Sequence, residues 1–370
     1  MNRRETERIL AVIHRVRASG ERAALATVVR VKGSAYRREG ARIVVREDRT
    51  YECLLSGGCL EPAVADAAAR VMATGEPVVV SYDLTDDSVW GLGIGCTGAV
   101  DILIERLGDD PLARAWLSVL ERAEPAVLVT GLAGVSGRLL VRDDDDEVLG
   151  CLSAAGIESA AVARARARLS ASQPISGTEA LGHADLFFEV SVPPPQLVIF
   201  GAGPDAAPLV RDARELGFAV TVVDVREGFL TADRFPGATL VSAHFGRFAE
   251  TVPLDARSVV VIMNHHLERD ERSLSFALAS EARYIGVLGP RRRYLTLMER
   301  LRQNGAAFDA ASLSRVRSPV GLALGAETPE EIAVSIVGEI IAVLRGFDAG
   351  FLAGREGSLH APDKHVLARS

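Results

Sequence analysis

The stretch from Val198 to Asp224, VIFGAGPDAAPLVRDARELGFAVTVVD, restricts the fold more than any other in the chain. An apolar run closes at Phe200, Gly201-Ala202-Gly203 turns, an amphipathic segment runs on from Pro204, and a second apolar run ends in Asp224. That order predicts strand, glycine turn, helix and strand within one βαβ unit. In such a unit Gly201 permits the tight turn and Gly203 lets a pyrophosphate approach the backbone. The small Ala206 lets helix and strand pack closely. Asp224 stands where a carboxylate meets a ribose hydroxyl, which favours a ribose without an added phosphate. Asp205 works against this, because it puts a negative charge at the helix N-terminus where a phosphate would sit; its other reading is a helix cap. The expected fold class is α/β, with a Rossmann-like doubly wound parallel sheet. NAD or another adenine nucleotide is the candidate ligand, set against a scaffold whose site is vestigial.

Beyond Asp224, strand-length apolar runs recur at ATLVSA (238–243), SVVVIM (258–263) and ARYIGVLG (282–289), with helical segments between them. Ligands of such sheets bind outside the carboxyl ends of the strands. Three stretches fall there: the Gly201 turn, Asn264-His265-His266, and Gly289-Pro290-Arg291-Arg292-Arg293. Together they describe a rim for an anionic ligand, with His265, Arg291 and Arg292 as candidate contacts. Positive charge at a helix start opposes the helix dipole, so the arginines ask for an explanation. His265 has a plainer reading as a strand-end histidine bonded to backbone, and Asp270 as a helix cap. Thr328, Pro329 and Glu331 form a capping-box start for a largely apolar last helix, which domain packing or a homodimer interface would cover.

The N-terminal part reads as α+β. A charged amphipathic helix is followed by β runs at AALATVVRV (23–31) and RIVVRE, a Ser56-Gly57-Gly58-Cys59 turn, and a helix from about Glu61 to Met72. PVVVSYDL and the strand after Cys96 follow. Residues 125–170 echo residues 23–72, with Val141 set against Val44, Leu152-Ser153 against Leu55-Ser56, and Glu158 against Glu61. Where the first copy has Gly57-Gly58-Cys59, the second has Ala154-Ala155-Gly156, and the GSAYRREGAR loop shrinks to GVSGR. The same strand-turn-helix thus tolerates SAAG, which points to chemistry at Cys59 and in the Arg37/Arg38 loop. Cys59 just before a helix N-terminus is also where a thiolate is favoured. The bland alternative is that small residues suit tight turns and cysteine packs as a small hydrophobe. The acidic run from Asp143 to Glu147 reads as a solvated hairpin tip rather than a metal site. Pro193-Pro194-Pro195 is a stiff linker. The expected domains are 1–108, 109–192 (the degenerate repeat), 196–347 and a tail, 348–370.

Composition excludes several classes. A net charge of -7 argues against general nucleic-acid binding, and no apolar stretch is long and charge-free enough to span a bilayer. Four cysteines without a CxxC read as reduced thiols, which with the absence of a secretory signal suggests the cytoplasm.

With these motifs assembled, the chain resembles the XdhC/CoxI family, the accessory factors of xanthine dehydrogenase and related molybdenum hydroxylases. The resemblance runs from about Ala24 to Gly346 and rests on GSAYRREGAR, LSGGCLE, GIGCTGAVDILIE, VIFGAGPDAA, VVDVRE, IMNHHLERD, YIGVLGPRRR and SPVGLALGAETPEEIAVSIVGEI. It implies a chaperone that binds molybdenum cofactor (molybdopterin), supports its sulfuration and inserts it into a xanthine dehydrogenase-type hydroxylase. A cysteine desulfurase is a candidate second partner. The sequence departs from the family's usual pattern at Tyr36, Thr97, Pro204-Asp205 and Asn264. An anionic, phosphate-bearing cofactor with a soft metal centre suits arginines, glycine turns and thiolates. Cys59, with Cys96 as the lesser candidate, is therefore expected at the molybdenum end or as sulfur carrier, and Arg37 and Arg38 on pterin or phosphate oxygens. The competing classes are an NAD-dependent oxidoreductase using Asp224 and a regulatory binding protein without redox chemistry.

Overall fold

A computed structural model describes residues 3–33, 35–84, 98–143, 148–171 and 173–353. The Cys96 loop, most of the acidic run and the end of the expected tail lie outside the described residues. The chain divides into two compact units, Met1–Pro193 and Pro194–Ser370.

The first unit is built twice from one pattern. Helix α1 (Arg3–Ser19) leads into β1 (Ala23–Lys32), β2 (Arg42–Arg46), β3 (Tyr51–Glu52), α2 (Glu61–Thr74), β4 (Val78–Asp83) and β5 (Ala99–Arg106). Helix α3 (Pro111–Arg122) then leads into β6 (Ala126–Ala133), β7 (Gly137–Arg142), β8 (Leu149–Leu152), α4 (Ala155–Leu169), β9 (Gly177–Leu181) and β10 (Ala184–Ser191). The sheet orders are β3-β2-β1-β5-β4 and β8-β7-β6-β10-β9, the same topology repeated. The strand registers sharpen the alignment: Ala23 faces Arg46 as Ala126 faces Arg142, and Thr27 faces Arg42 as Thr130 faces Arg138. Val141 therefore matches Val45, not Val44, and the expected alignment slips by one there. The chain between the paired Leu140 and Leu149 is one residue longer than that between the paired Val44 and Glu52, so the alignment read from Leu55 and Leu152 onward does not extend back through it.

Alternation along β1 explains the packing. Ala24, Ala26 and Val28 bury against α2, whereas Ala23 and Leu25 face a second core shared with α1, α3 and the other sheet. In the second copy Val127 and Val129 bury with α4, and Ala126 and Leu128 turn to the shared core. The two inner faces meet through a small symmetric cluster of Val29, Leu103, Leu132 and Phe187. They also meet through exchanged ion pairs: Arg42 of the first copy with Glu189 of the second, and Arg138 of the second with Glu105 of the first, at 3.0 Å. Glu105 lies opposite Leu25 and Glu189 opposite Leu128, so the two pairs are equivalents under the repeat. Arg42 is 5% exposed, and burial pulls its guanidinium down to about 10.

The second unit is a parallel sheet of β11 (Gln196–Phe200), β12 (Ala219–Asp224), β13 (Thr239–Ser242), β14 (Ser258–Ile262), β15 (Tyr284–Val287) and β16 (Val316–Arg317). Its order, β13-β12-β11-β14-β15-β16, reverses direction between β11 and β14 and makes the doubly wound topology the sequence predicts; the short β16 is an addition to that pattern. Helices α5 (Ala206–Glu215) and α8 (Pro329–Arg345) cover one face, and α6 (Leu267–Leu278) with α7 (Arg291–Gln303) the other. The apolar α8 buries Ala333, Ile336, Val337 and Ile340 against this unit's own strands and α5, so its composition needs no second chain. Its expected capping box is present: Thr328 accepts from the Glu331 amide, and Glu331 from the Thr328 amide.

Candidate functional site

The Ser56–Leu60 turn sits at the mouth of a cavity of 470 Å3 lined by Tyr36, Leu55, Ser56, Gly57, Gly58, Cys59, Leu84 and Val100 among others. That volume is in the range of small-molecule sites. Two strands from distant parts of the chain make its walls, because β5 pairs with β1 and so brings Val100 opposite Val31, beside the Tyr36 loop. Gly58 has φ of 103°, and a Cβ built at Gly57 or Gly58 would meet no atom within 4 Å. Space above the turn is thus open among the described residues. Cys96 itself lies outside those residues. The Leu84 amide donates to the Gly98 carbonyl at 2.8 Å, and Leu84 lines the cavity.

The turn is held from below. The Ser56 hydroxyl accepts from the amides of Gly58, Cys59 and Leu60 at 3.2, 3.1 and 3.1 Å, and donates to the Glu61 carboxylate. Glu61 is fully buried and also accepts from the Leu55 and Ser56 amides at 2.9 and 2.8 Å. Burial pushes its carboxyl up, but the Ser56 hydroxyl and these amides outweigh it and hold the group below the usual carboxylate range. The amides of Gly58, Cys59 and Leu60 are therefore turned inward, toward Ser56.

Neither Arg37 nor Arg38 lines the cavity. Arg37 makes a bidentate pair with Glu5 of α1, at 2.6 and 2.8 Å, and its bonds to that carboxylate raise its pKa. Arg38 points to Glu39 at 3.3 Å. Tyr36, the residue at which the GSAYRREGAR motif departs from the family pattern, is 62% exposed at the cavity and adds an aromatic wall. Cys53 is half-buried behind the turn with φ of 71°, and burial, then Glu5 and Glu52, push its thiol up.

The rim of the second unit collects Gly201, Gly203, Ala206, Asp224, His265, Arg291 and Arg292 at the carboxyl ends of β11, β12, β14 and β15. Gly201, at φ of 121°, is required by backbone approach: a Cβ there would lie 2.5 Å from the Met263 carbonyl oxygen. Ala206 is fully buried, as the packing reading requires. Asp224 differs from expectation. Its carboxylate accepts from the Ala202 amide at 2.8 Å and from the amide, Nε and Nη2 of Arg226, and its side chain is 1% exposed. Burial pushes its carboxyl up, but the Arg226 guanidinium and these amides prevail and hold it at about 2. It is spent on ordering the glycine turn rather than left free for a ribose hydroxyl. Arg226 lies 4.2 Å over the Phe229 ring.

Asp205 makes no capping bond to α5. One of its oxygens lies 2.3 Å from where a Gly203 Cβ would be, and the other is 2.6 Å from His265 Nε2. A carboxylate thus lies over the glycine turn and is tied across the strand-order reversal to a histidine. His265 has φ of 57°, a conformation that costs a non-glycine residue about 1 kcal/mol. Asp270 is not the N-cap, a position His266 takes: it is buried in the first turn of α6 and accepts from the Asn264 amide and side chain and from Arg293. Arg293 is thereby accounted for, while Arg291, which donates to the Ser318 carbonyl at 3.3 Å, and Arg292 are exposed at the start of α7. Among the described residues no group of three or more histidine, cysteine or acidic side chains could hold a metal ion, and no helix is long and apolar enough to cross a membrane.

Comparison with known proteins agrees with this architecture. Residues 197–340 match the XdhC Rossmann domain and residues 16–83 the XdhC and CoxI family. A probable xanthine dehydrogenase subunit from Bacillus subtilis (strain 168) is 32% identical over 331 residues, covering 87% of this chain and 93% of the relative. The molybdenum cofactor insertion chaperone PaoD from Escherichia coli (strain K12) is 25% identical over 327 residues, 88% of this chain and 84% of that one. The crystal structure of a xanthine dehydrogenase from Bacillus halodurans matches with a TM-score of 0.74 at 29% identity, over 94% of this chain and 97% of that one. By sequence and by fold, the chain belongs to the XdhC and CoxI family.

Proposed function

We propose that this protein is an accessory chaperone that binds molybdenum cofactor at the Cys59 cavity, supports its sulfuration and inserts it into a xanthine dehydrogenase-type hydroxylase. The observation that carries the reading is that the first copy places a cysteine in the Ser56–Leu60 turn beside a cavity, while the second copy folds with Gly156 in the equivalent position. The donor set suits the soft end of the cargo. Cys59 supplies a sulfur ligand or carrier, and Tyr36, Leu55, Leu84 and Val100 supply apolar wall for a flat heterocycle. Among the described residues no arginine or lysine lines this cavity, so Arg37 and Arg38 act on the cargo only after leaving their carboxylate partners. A cysteine desulfurase as sulfur donor and a homodimer belong to the same reading; the dimer no longer has the apolar last helix as its support. The test is cofactor content, by mass spectrometry and absorbance, of protein purified anaerobically from cells making the cofactor. Cys59→Ala should retain about tenfold less than the unsubstituted protein, and Cys151→Ala as much. Equal content in all three would remove Cys59 from the site.

A second reading, a nucleotide-sensing rim on the second unit, is favoured by the reversal of strand order between β11 and β14 beside the exposed Arg291 and Arg292. Asp205 opposes it. Titration with NAD should give weak binding that salt reduces further, and Asp205→Ala should tighten it severalfold. Tighter binding to the unsubstituted protein would refute this account of Asp205.

A further inference from the structure

We infer that Ser56 and Glu61 are positioning residues for Cys59, holding its turn in the one conformation that presents the thiol to the cavity. This rests on the proposal that Cys59 meets the cargo, and it deepens that site. Glu61 is a carboxylate without solvent contact, spent entirely on Leu55 and Ser56. Ser56 in turn gathers the amides of Gly58, Cys59 and Leu60 on its hydroxyl oxygen, so the backbone on both sides of the Cys59 Cα is pinned to a buried anchor. Two glycines in open space could not hold such a turn by their own stiffness.

The second copy supplies the contrast. Glu158 keeps the bond to the Leu152 amide, at 2.7 Å, which matches the Glu61 bond to Leu55. Ser153, however, turns away and accepts from the Ser136 amide of the hairpin. The glutamate therefore serves the strand-turn-helix corner in both copies, whereas the coupling of serine to glutamate occurs only beneath the cysteine. Folding alone does not call for it.

The experiment is peptide-resolved alkylation of the full chain by iodoacetamide, read by mass spectrometry, alongside thermal unfolding. Ser56→Ala should shift the Cys59 alkylation rate about tenfold from that of the unsubstituted protein, because the thiol is no longer held in one orientation. Ser56→Thr should return the rate to within about twofold, since it restores the acceptor. Ser153→Ala, its counterpart in the second copy, should leave the Cys59 rate unchanged. A folded Ser56→Ala protein with the unsubstituted Cys59 rate would overturn the inference. If Ser56→Ala does not fold, hydrogen exchange on the unsubstituted protein decides: slow amides at Gly58, Cys59 and Leu60 support the anchor, and fast ones overturn it. Alkylation requires no cofactor, so it is independent of the cofactor-content test. Failure there with success here would reject the cargo site and keep the positioned thiol.

Discussion

The two copies inside the first unit share elements, sheet order, hairpin register and the glutamate at the head of the crossover helix. They differ in the length of the loop between their first two strands and in one corner. The first has Ser56-Gly57-Gly58-Cys59 over a cavity, and the second has Ser153-Ala154-Ala155-Gly156. A position behind that corner differs too: Gly150 takes φ of 89° without cost, while its equivalent Cys53 holds a side chain at 71°. What one copy does comfortably, the other does under constraint. Constraint concentrated in one of two equivalent corners is the mark of a site rather than of a folding requirement.

The comparison predicts, first and largest, that the copies depend on each other through the exchanged pairs. Removing Glu189 should leave buried Arg42 with only the more remote charge of Glu105, so Glu189→Ala should lower stability by about 3 kcal/mol. Replacing both partners with apolar residues of similar volume, as in Arg42→Met with Glu189→Leu, should recover most of that in a denaturant titration. A double variant no more stable than Glu189→Ala would show that the inner faces are held by packing instead.

A smaller effect separates the two glutamates. Glu61→Gln should cost about 2 kcal/mol at neutral pH, and Glu158→Gln about 1, because the first carries three accepted bonds and the second one. Glu61 has a lowered folded pKa, so its contribution is complete above the unfolded carboxylate value of about 4.3 and fades as pH falls through the folded value. Unfolding curves of the Glu61→Gln and unsubstituted proteins should therefore converge at strongly acidic pH. Curves that stay apart would place the loss in packing rather than in charge.

The rim of the second unit is legible in outline because glycine turns and strand ends recur in chain order. The partners are not legible. The position of Asp224 after a strand suggests a ribose contact, but Arg226, two residues on, folds back and claims its carboxylate. The place of Asp205 suggests a cap, yet its bond goes to His265, sixty residues away. Tyr36 and Ser56 stand in motifs the sequence shows, but their roles as aromatic wall and anchor leave no local signal for a related reason. Both are ordinary residues whose roles come from what the chain brings beside them.

By itself the sequence determined the parallel sheet of the second unit, the α+β character of the first, the internal repeat and the singular Cys59 turn. Each is written in local periodicity, in glycine and proline positions, or in the difference between two aligned segments, all of which act over a few residues. Tertiary structure decided which charged groups are free. Arg37 is taken by Glu5, Asp224 by Arg226, Asp270 by Arg293, and Arg42 by Glu189. An ion pair needs only two side chains to arrive within a few ångströms, whatever their separation along the chain. Local pattern carries no record of that meeting, and the fold alone settles it.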